Sequence, residues 1–201
     1  MKTQQAAMFA LVAIVAGTGG IFSGFSVSSD DAGAYSEEGN VMGHITLTVT
    51  DESGNIKDYI QTDNLVVDAG MDTMADLVFP DINTNSNSTD GKFEWIGIGT
   101  GTTAAAAANT AEETLISGCN RVTDSDLTSP AATSATGETV VTVDASFSGS
   151  SCAGAITEAV LANSGTGAAA GAGEILARQV FSPVNVGSSD TLTVSWEITL
   201  T

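Results

Sequence analysis

Thr191 to Leu200 reads TLTVSWEITL. Leu192, Val194, Trp196, Ile198 and Leu200 alternate with Thr191, Thr193, Ser195, Glu197 and Thr199 over the whole stretch. Successive strand side chains point to opposite sides of a sheet, so this period of two predicts a strand with one apolar and one hydrophilic face. Such a strand suits an antiparallel sheet that packs on one side and meets water on the other. Two more stretches carry the same signature. In Val41 to Thr50, Val41, Gly43, Ile45, Leu47 and Val49 alternate with Met42, His44 and threonines; in Glu138 to Phe147, Val141, Val143, Ala145 and Phe147 share a face.

Working outward, the chain reads as further short strands. Asp51 to Asn55 is a turn, and Ile56 to Gln61 pairs back on Val41 to Thr50 as a hairpin. Asn64 to Val67, Phe93 to Gly99, a weak Leu115 to Thr123, Ala155 to Leu161 and Glu174 to Phe181 follow. Asp68 to Phe79 is the predicted helix: Met71, Met74, Ala75 and Val78 fall on one face, Asp68 stands at the N-cap, and Pro80 ends it. The alanines at 104–108 lie among Thr and Asn and read as a loop. About eight strands at short spacing predict an all-β fold, an antiparallel β-sandwich (Ig-like or jelly-roll-like) with one short helix, over residues 41–201.

The chain has 201 residues, with 24 acids against 5 Lys and Arg, one histidine and two cysteines, for a formal net charge of −19. That balance excludes wrapping of nucleic acid, which needs clustered Lys and Arg. Zinc of the Cys/His kind lacks its ligands, and a Ser-His-Asp machine would rest on His44 alone. A surface this acidic stays soluble and suits salty surroundings, where screening removes the self-repulsion.

The N-terminus has its own character. Lys2 is the one basic residue before residue 29, and Ala6 to Ala16 (AAMFALVAIVA) is apolar throughout. A basic start, an apolar core and the small residues Ser26-Val27-Ser28 match a secretory signal over 1–28. The same residues also fit an uncleaved anchor reaching Phe25, or a pilin-like leader cut near Lys2-Thr3-Gln4. All three place residues 29–201 outside the cytoplasm, at the cell surface or beyond. Residues 29–40 (SDDAGAYSEEGN) read as an acidic flexible arm. In an oxidising compartment Cys119 and Cys152 would bond; the alternative is two separate buried thiols.

Phe93 to Ala111 (FEWIGIGTGTTAAAAANTA), Ile156 to Asn163 (ITEAVLAN) and Leu176 to Thr201 resemble a β-sandwich module of tailed-phage tail and fibre proteins and of secreted archaeal surface proteins. The shared order is an aromatic-rich strand, a G-T-G-T-T loop, a T-E-A strand, an A-R-x-x-F-S-P segment and a closing L-T-V-x-W-x-I-T strand. The resemblance implies a structural or attachment role and carries over no catalytic residue. The secretory-like start departs from phage tail proteins, which assemble in the cytoplasm. It moves the expectation to a cell-surface or filament (pilus-like) subunit that associates with itself or with other surface proteins. A virion structural protein and a monomeric carbohydrate- or Ca²⁺-binding module are the alternatives. Contact with a membrane is expected only through an uncleaved N-terminal segment.

Particular residues sharpen this. Gly97-Ile98-Gly99-Thr100-Gly101 lacks the G-x-G-x-x-G spacing of a dinucleotide loop and reads as a glycine turn leaving a strand. Asp81, Asn83, Asn85, Asn87, Thr89 and Asp90 offer oxygens at near-alternate positions, so Ca²⁺ is the one cofactor suggested. Ser86 and Lys92 stand where an EF-hand needs Gly and Glu, so any such site is irregular. Asn87-Ser88-Thr89 is an N-glycosylation acceptor. The acid pairs Asp30/Asp31, Glu37/Glu38 and Glu112/Glu113 read as solvated charge, since a glycosidase needs carboxylates facing across a cleft. His44 reads as a surface strand residue, Trp95 and Trp196 as core or rim, and Arg178 as the partner of a local acid. No constellation for catalysis emerges.

Overall fold

The computed structural model of the chain describes residues 40–78, 92–123, 139–165 and 173–201. Among them, nine strands form two antiparallel sheets packed as an all-β sandwich. Sheet A runs in the order β2 (Ile56–Asp63), β1 (Val41–Thr50), β9 (Thr191–Leu200), β6 (Thr139–Ser148). Sheet B runs β3 (Leu65–Val66), β8 (Ile175–Val186), β7 (Gly154–Ala162), β4 (Trp95–Gly99), β5 (Val122–Thr123). Helix α1 (Asp68–Val78) follows β3, and one turn, α2 (Gly149–Cys152), joins β6 to β7. The N-terminal 39 residues and the oxygen-rich Asp81 to Asp90 lie outside the described residues.

The period of two explains the core. β9 pairs with β1 and β6 in unbroken register, so Leu192 lies between Val49 and Phe147, Val194 between Leu47 and Ala145, and Trp196 between Ile45 and Val143. All nine are buried, against Ile96, Ile98, Ile156, Ala159, Leu161 and Val184 from sheet B. Each such large aliphatic or aromatic side chain contributes about 1.5–3 kcal/mol by leaving water. Trp196 keeps its indole satisfied by donating Nε1–H to Asn64 Oδ1 at 2.9 Å. The alternate positions of sheet A point outward and align in rows: Thr50–Thr191–Ser148, then Thr48–Thr193–Ser146, then Thr46–Ser195–Asp144. The β1–β2 turn forms where Asp51 Oδ1 accepts the N–H groups of Ser53 and Asn55, and Gly54 supplies a φ of 81°.

Four expectations need correction. Helix α1 turns Gly70, Thr73 and Asp76 inward, while Met71 and Val78 are exposed and Met74 and Ala75 half-buried. Gly70 decides this: a Cβ there would lie 2.5 Å from Leu176 Cα, so glycine lets the helix rest on the β8 backbone. Asp68 is the first helical residue, and its N–H donates to Ala107 O. Leu115 to Thr123 is not a strand; it holds one bridge, Leu115 to Gly99, a turn at Ser117-Gly118, and the two-residue β5. β8 does not stop at Phe181 but runs to Val186. Ile156 opposes Val184 while Glu158 opposes Val180, so Phe181, Ser182 and Pro183 bulge opposite Thr157. A bulge is where a sheet tolerates a proline.

Cys119 and Cys152 are bonded (S–S 2.10 Å), fastening the segment before β5 to α2 across a separation of 33 residues. A loop of that length stabilises by about 3–4 kcal/mol in the chain-entropy description. Urea unfolding of the Cys119→Ser/Cys152→Ser variant is expected to lose about that much relative to the oxidised protein, with the native far-UV spectrum kept.

Candidate functional site

The outer face of sheet B, turned away from the core, holds the chemically distinctive part of the molecule. Ile96 and Ile98 of β4 face inward, so Gly97 and Gly99 fall on the outer face, opposite Val160 and Glu158 of β7. Arg178 of β8 is directly opposite Val160 on the same face. The glycines make room for carboxylates. A Cβ on Gly99 would lie 2.4 Å from Glu158 Oε1, one on Gly101 2.5 Å from it, and one on Gly97 2.2 Å from Glu112 Oε1. The glycine-rich stretch is therefore a strand face cut away for buried acids, beyond a simple turn out of the sheet.

Glu158 is fully buried. Its Oε1 accepts the N–H groups of Gly101 (2.9 Å) and Thr114 (2.8 Å). Its Oε2 accepts Glu113 N–H (3.0 Å) and both Nε–H (3.0 Å) and Nη2–H (2.9 Å) of Arg178. Arg178 also donates Nη1–H to Thr103 O and Asn109 Oδ1, and Nη2–H to Glu113 Oε2. Beside this group, Arg121 grips Glu112 in a two-pronged pair (2.7 Å for both contacts) and donates Nη1–H to Ser164 O. Thr157 adds a hydroxyl bond to Gly101 O at 2.8 Å.

Of the pair Glu112/Glu113, only Glu113 is exposed; Glu112 is not solvated charge. Glu112 is buried against Arg121, and Glu113 folds over Arg178 and Thr103. The Thr103 hydroxyl, then the Thr103 N–H and the nearby Arg178 charge, hold the Glu113 carboxyl below the ordinary glutamate range, against the opposing effect of desolvation. Arg178 does pair with a local acid, as its sequence position suggested. Chemically, every strong acceptor site on Glu158 is occupied, and the guanidinium lies under the loop. A saturated buried pair fastens; it has no free lone pair with which to move a proton. Its effect is to lock residues 100–121 onto the sheet.

A surface cleft of about 470 Å³ lies where the start of β1 and the end of β2 meet β3, lined among others by Met42, His44, Asp63, Asn64, Leu65 and Thr199. His44 Nδ1 lies 3.0 Å from Asp63 Oδ1, on the outward face where the alternation placed it. Among the described residues no hydroxyl or thiol hydrogen-bonds to His44, and no group of three His, Cys, Asp or Glu is placed to hold a metal ion. Trp196 is core and Trp95 packs half-buried against a second small cluster with Val160, Ala162 and Ile175. The candidate Ca²⁺ ligands Asp81, Asn83, Asn85, Asn87 and Asp90 and the acceptor Asn87 lie outside the described residues. Among the described residues no helix is long and apolar enough to cross a membrane. Comparison with known protein families, curated proteins and solved structures returns no match for this chain.

Three variants probe the clasp. Glu158→Ala leaves the buried Arg178 with only the exposed Glu113 as counter-charge and is expected to lose about 3 kcal/mol in urea unfolding. Gly99→Ala, whose methyl would meet both Glu158 Oε1 and Thr114 O, is expected to destabilise in the same assay, and equal stability to wild type would refute the steric account. A lowered carboxyl pKa gives stability that is present above the ordinary glutamate range and is lost as pH falls through the folded value. Thr103→Val is therefore expected to raise the Glu113 titration midpoint, read by carboxyl NMR, and to flatten the stability loss below about pH 4.

Proposed function

We propose that the chain is an extracellular structural or attachment protein, a subunit of a cell surface or of a pilus-like filament. Its partners on this reading are further copies of itself or other surface proteins. The observation that carries the proposal is the Cys119–Cys152 disulfide, because such bonds form and persist outside reducing compartments. The apolar Ala6 to Ala16 run in a secretory-like setting supports the same location.

The structural half of the proposal draws support from where the charges sit. The buried acids Glu112 and Glu158 serve to fasten loops. Across β1, β9 and β6 the outward face of sheet A offers two rows of Thr and Ser hydroxyls, which Ile56 and Tyr59 of β2 continue at the edge. Copies of a chain with net charge −19 repel one another, and those two rows, at the end of the face away from Asp144, Glu197 and Asp63, are where they can approach with little added charge. The resemblance of the later strands to tail and fibre modules favours a virion structural protein as the second reading.

Negative-stain electron microscopy of native material, with the chain identified by peptide mass, tests the proposal. Filaments or particles built of this chain are expected, and their morphology separates a host filament from a virion; dispersed monomers would sink the polymer reading. If the acidic arm adds to a neighbour's sheet edge, deletion of residues 29–40 is expected to abolish assembly, and unchanged filaments would exclude the arm.

A further inference from the structure

Asp76 of helix α1 is 4% exposed, and neither of its carboxylate oxygens has a hydrogen-bond partner. The other buried acids of the described chain are compensated: Glu158 by Arg178, Glu112 by Arg121, Asp190 by Lys57. Among the described residues no basic side chain pairs with Asp76. Lys57, Arg121 and Arg178 are engaged elsewhere, and Lys92 is exposed.

Its position adds to the difficulty. The last turn of a helix carries partial negative charge, and α1 has no basic residue there to offset it. Asp72 precedes Asp76 by four residues, so two like charges sit one turn apart on the same helix. Burial, dipole and neighbour all oppose a lone anion at this point, and a single bound cation relieves all three.

We propose that Asp76, with Asp72 beside it, ligates a hard divalent cation, Ca²⁺ foremost, at the C-terminal end of helix α1. The donors on offer are oxygens: the Asp76 carboxylate, which leans toward the preceding turn, and the exposed Asp72 carboxylate one turn before it. An all-oxygen set suits Ca²⁺, which takes roughly six to eight such ligands in flexible geometry, the balance coming from water. The site stands on the helix itself. The Asp81 to Asp90 stretch forms no part of it, and the inference does not depend on the structural role proposed above.

The test is thermal unfolding and titration calorimetry of the full chain in EDTA and in millimolar Ca²⁺. Wild type is expected to gain about 5 °C or more in Ca²⁺. Asp76→Asn is expected to abolish that gain, and Asp72→Asn to weaken Ca²⁺ affinity about tenfold by removing one charged ligand. Glu52→Gln, which removes one exposed charge in the β1–β2 turn, controls for general screening and is expected to keep the gain. No Ca²⁺-dependent shift in wild type overturns the proposal. So does a shift of equal size in wild type and Asp76→Asn, which would be screening of the acidic surface. If Asp76→Asn fails to fold, Asp72→Asn decides: unchanged affinity overturns the site.

Discussion

A carboxylate taken wholly out of water is tolerable only where donors converge on it, and Glu158 meets that condition with three backbone N–H groups and the Arg178 guanidinium. That requirement shapes its surroundings. The backbone donors come from Gly101, Glu113 and Thr114, so the loop must leave β4 and return over the same spot. β4 must then present glycine wherever its outer face meets the acids. A buried pair of this kind is no guarantee of net stability, since an apolar replacement can match it. What it does constrain is geometry: Gly101, Glu113 and Thr114 must all return to Glu158, and Thr103 and Asn109 to Arg178.

The sheets were legible because their information is local. Alternation in Val41 to Thr50 and Thr191 to Leu200 assigns faces without knowledge of partners, and the register in sheet A follows those faces. The helix face was not legible. Met71, Met74, Ala75 and Val78 make the better apolar stripe, yet the backbone of β8 accepts Gly70, and contact distance prevailed over hydrophobicity. Residues 115–123 misled for a related reason. Their apolar members suggested a strand, but their fold is set by a bond to Cys152 and by acids and arginines far along the chain.

The clasp itself left one trace in the sequence. Gly97, Gly99 and Gly101 repeat with the period of a strand, which marks one whole face as empty. Together with a lone Glu in the apolar strand Ala155 to Leu161 and a lone Arg in Glu174 to Phe181, that vacancy points to a side chain filling it from the neighbouring strand. The identity of the donors to Glu158 had no such signal, because backbone N–H groups are present at nearly every residue.

The disulfide has a consequence for cleavage of the chain. Residues 120–151 form a covalently closed ring between Cys119 and Cys152. A single cut anywhere in that ring opens it without releasing a fragment. The two pieces stay tethered, and β6 remains laced to β9 along its full length. A chain cut there stays in one covalent piece, and the cut would show only after reduction.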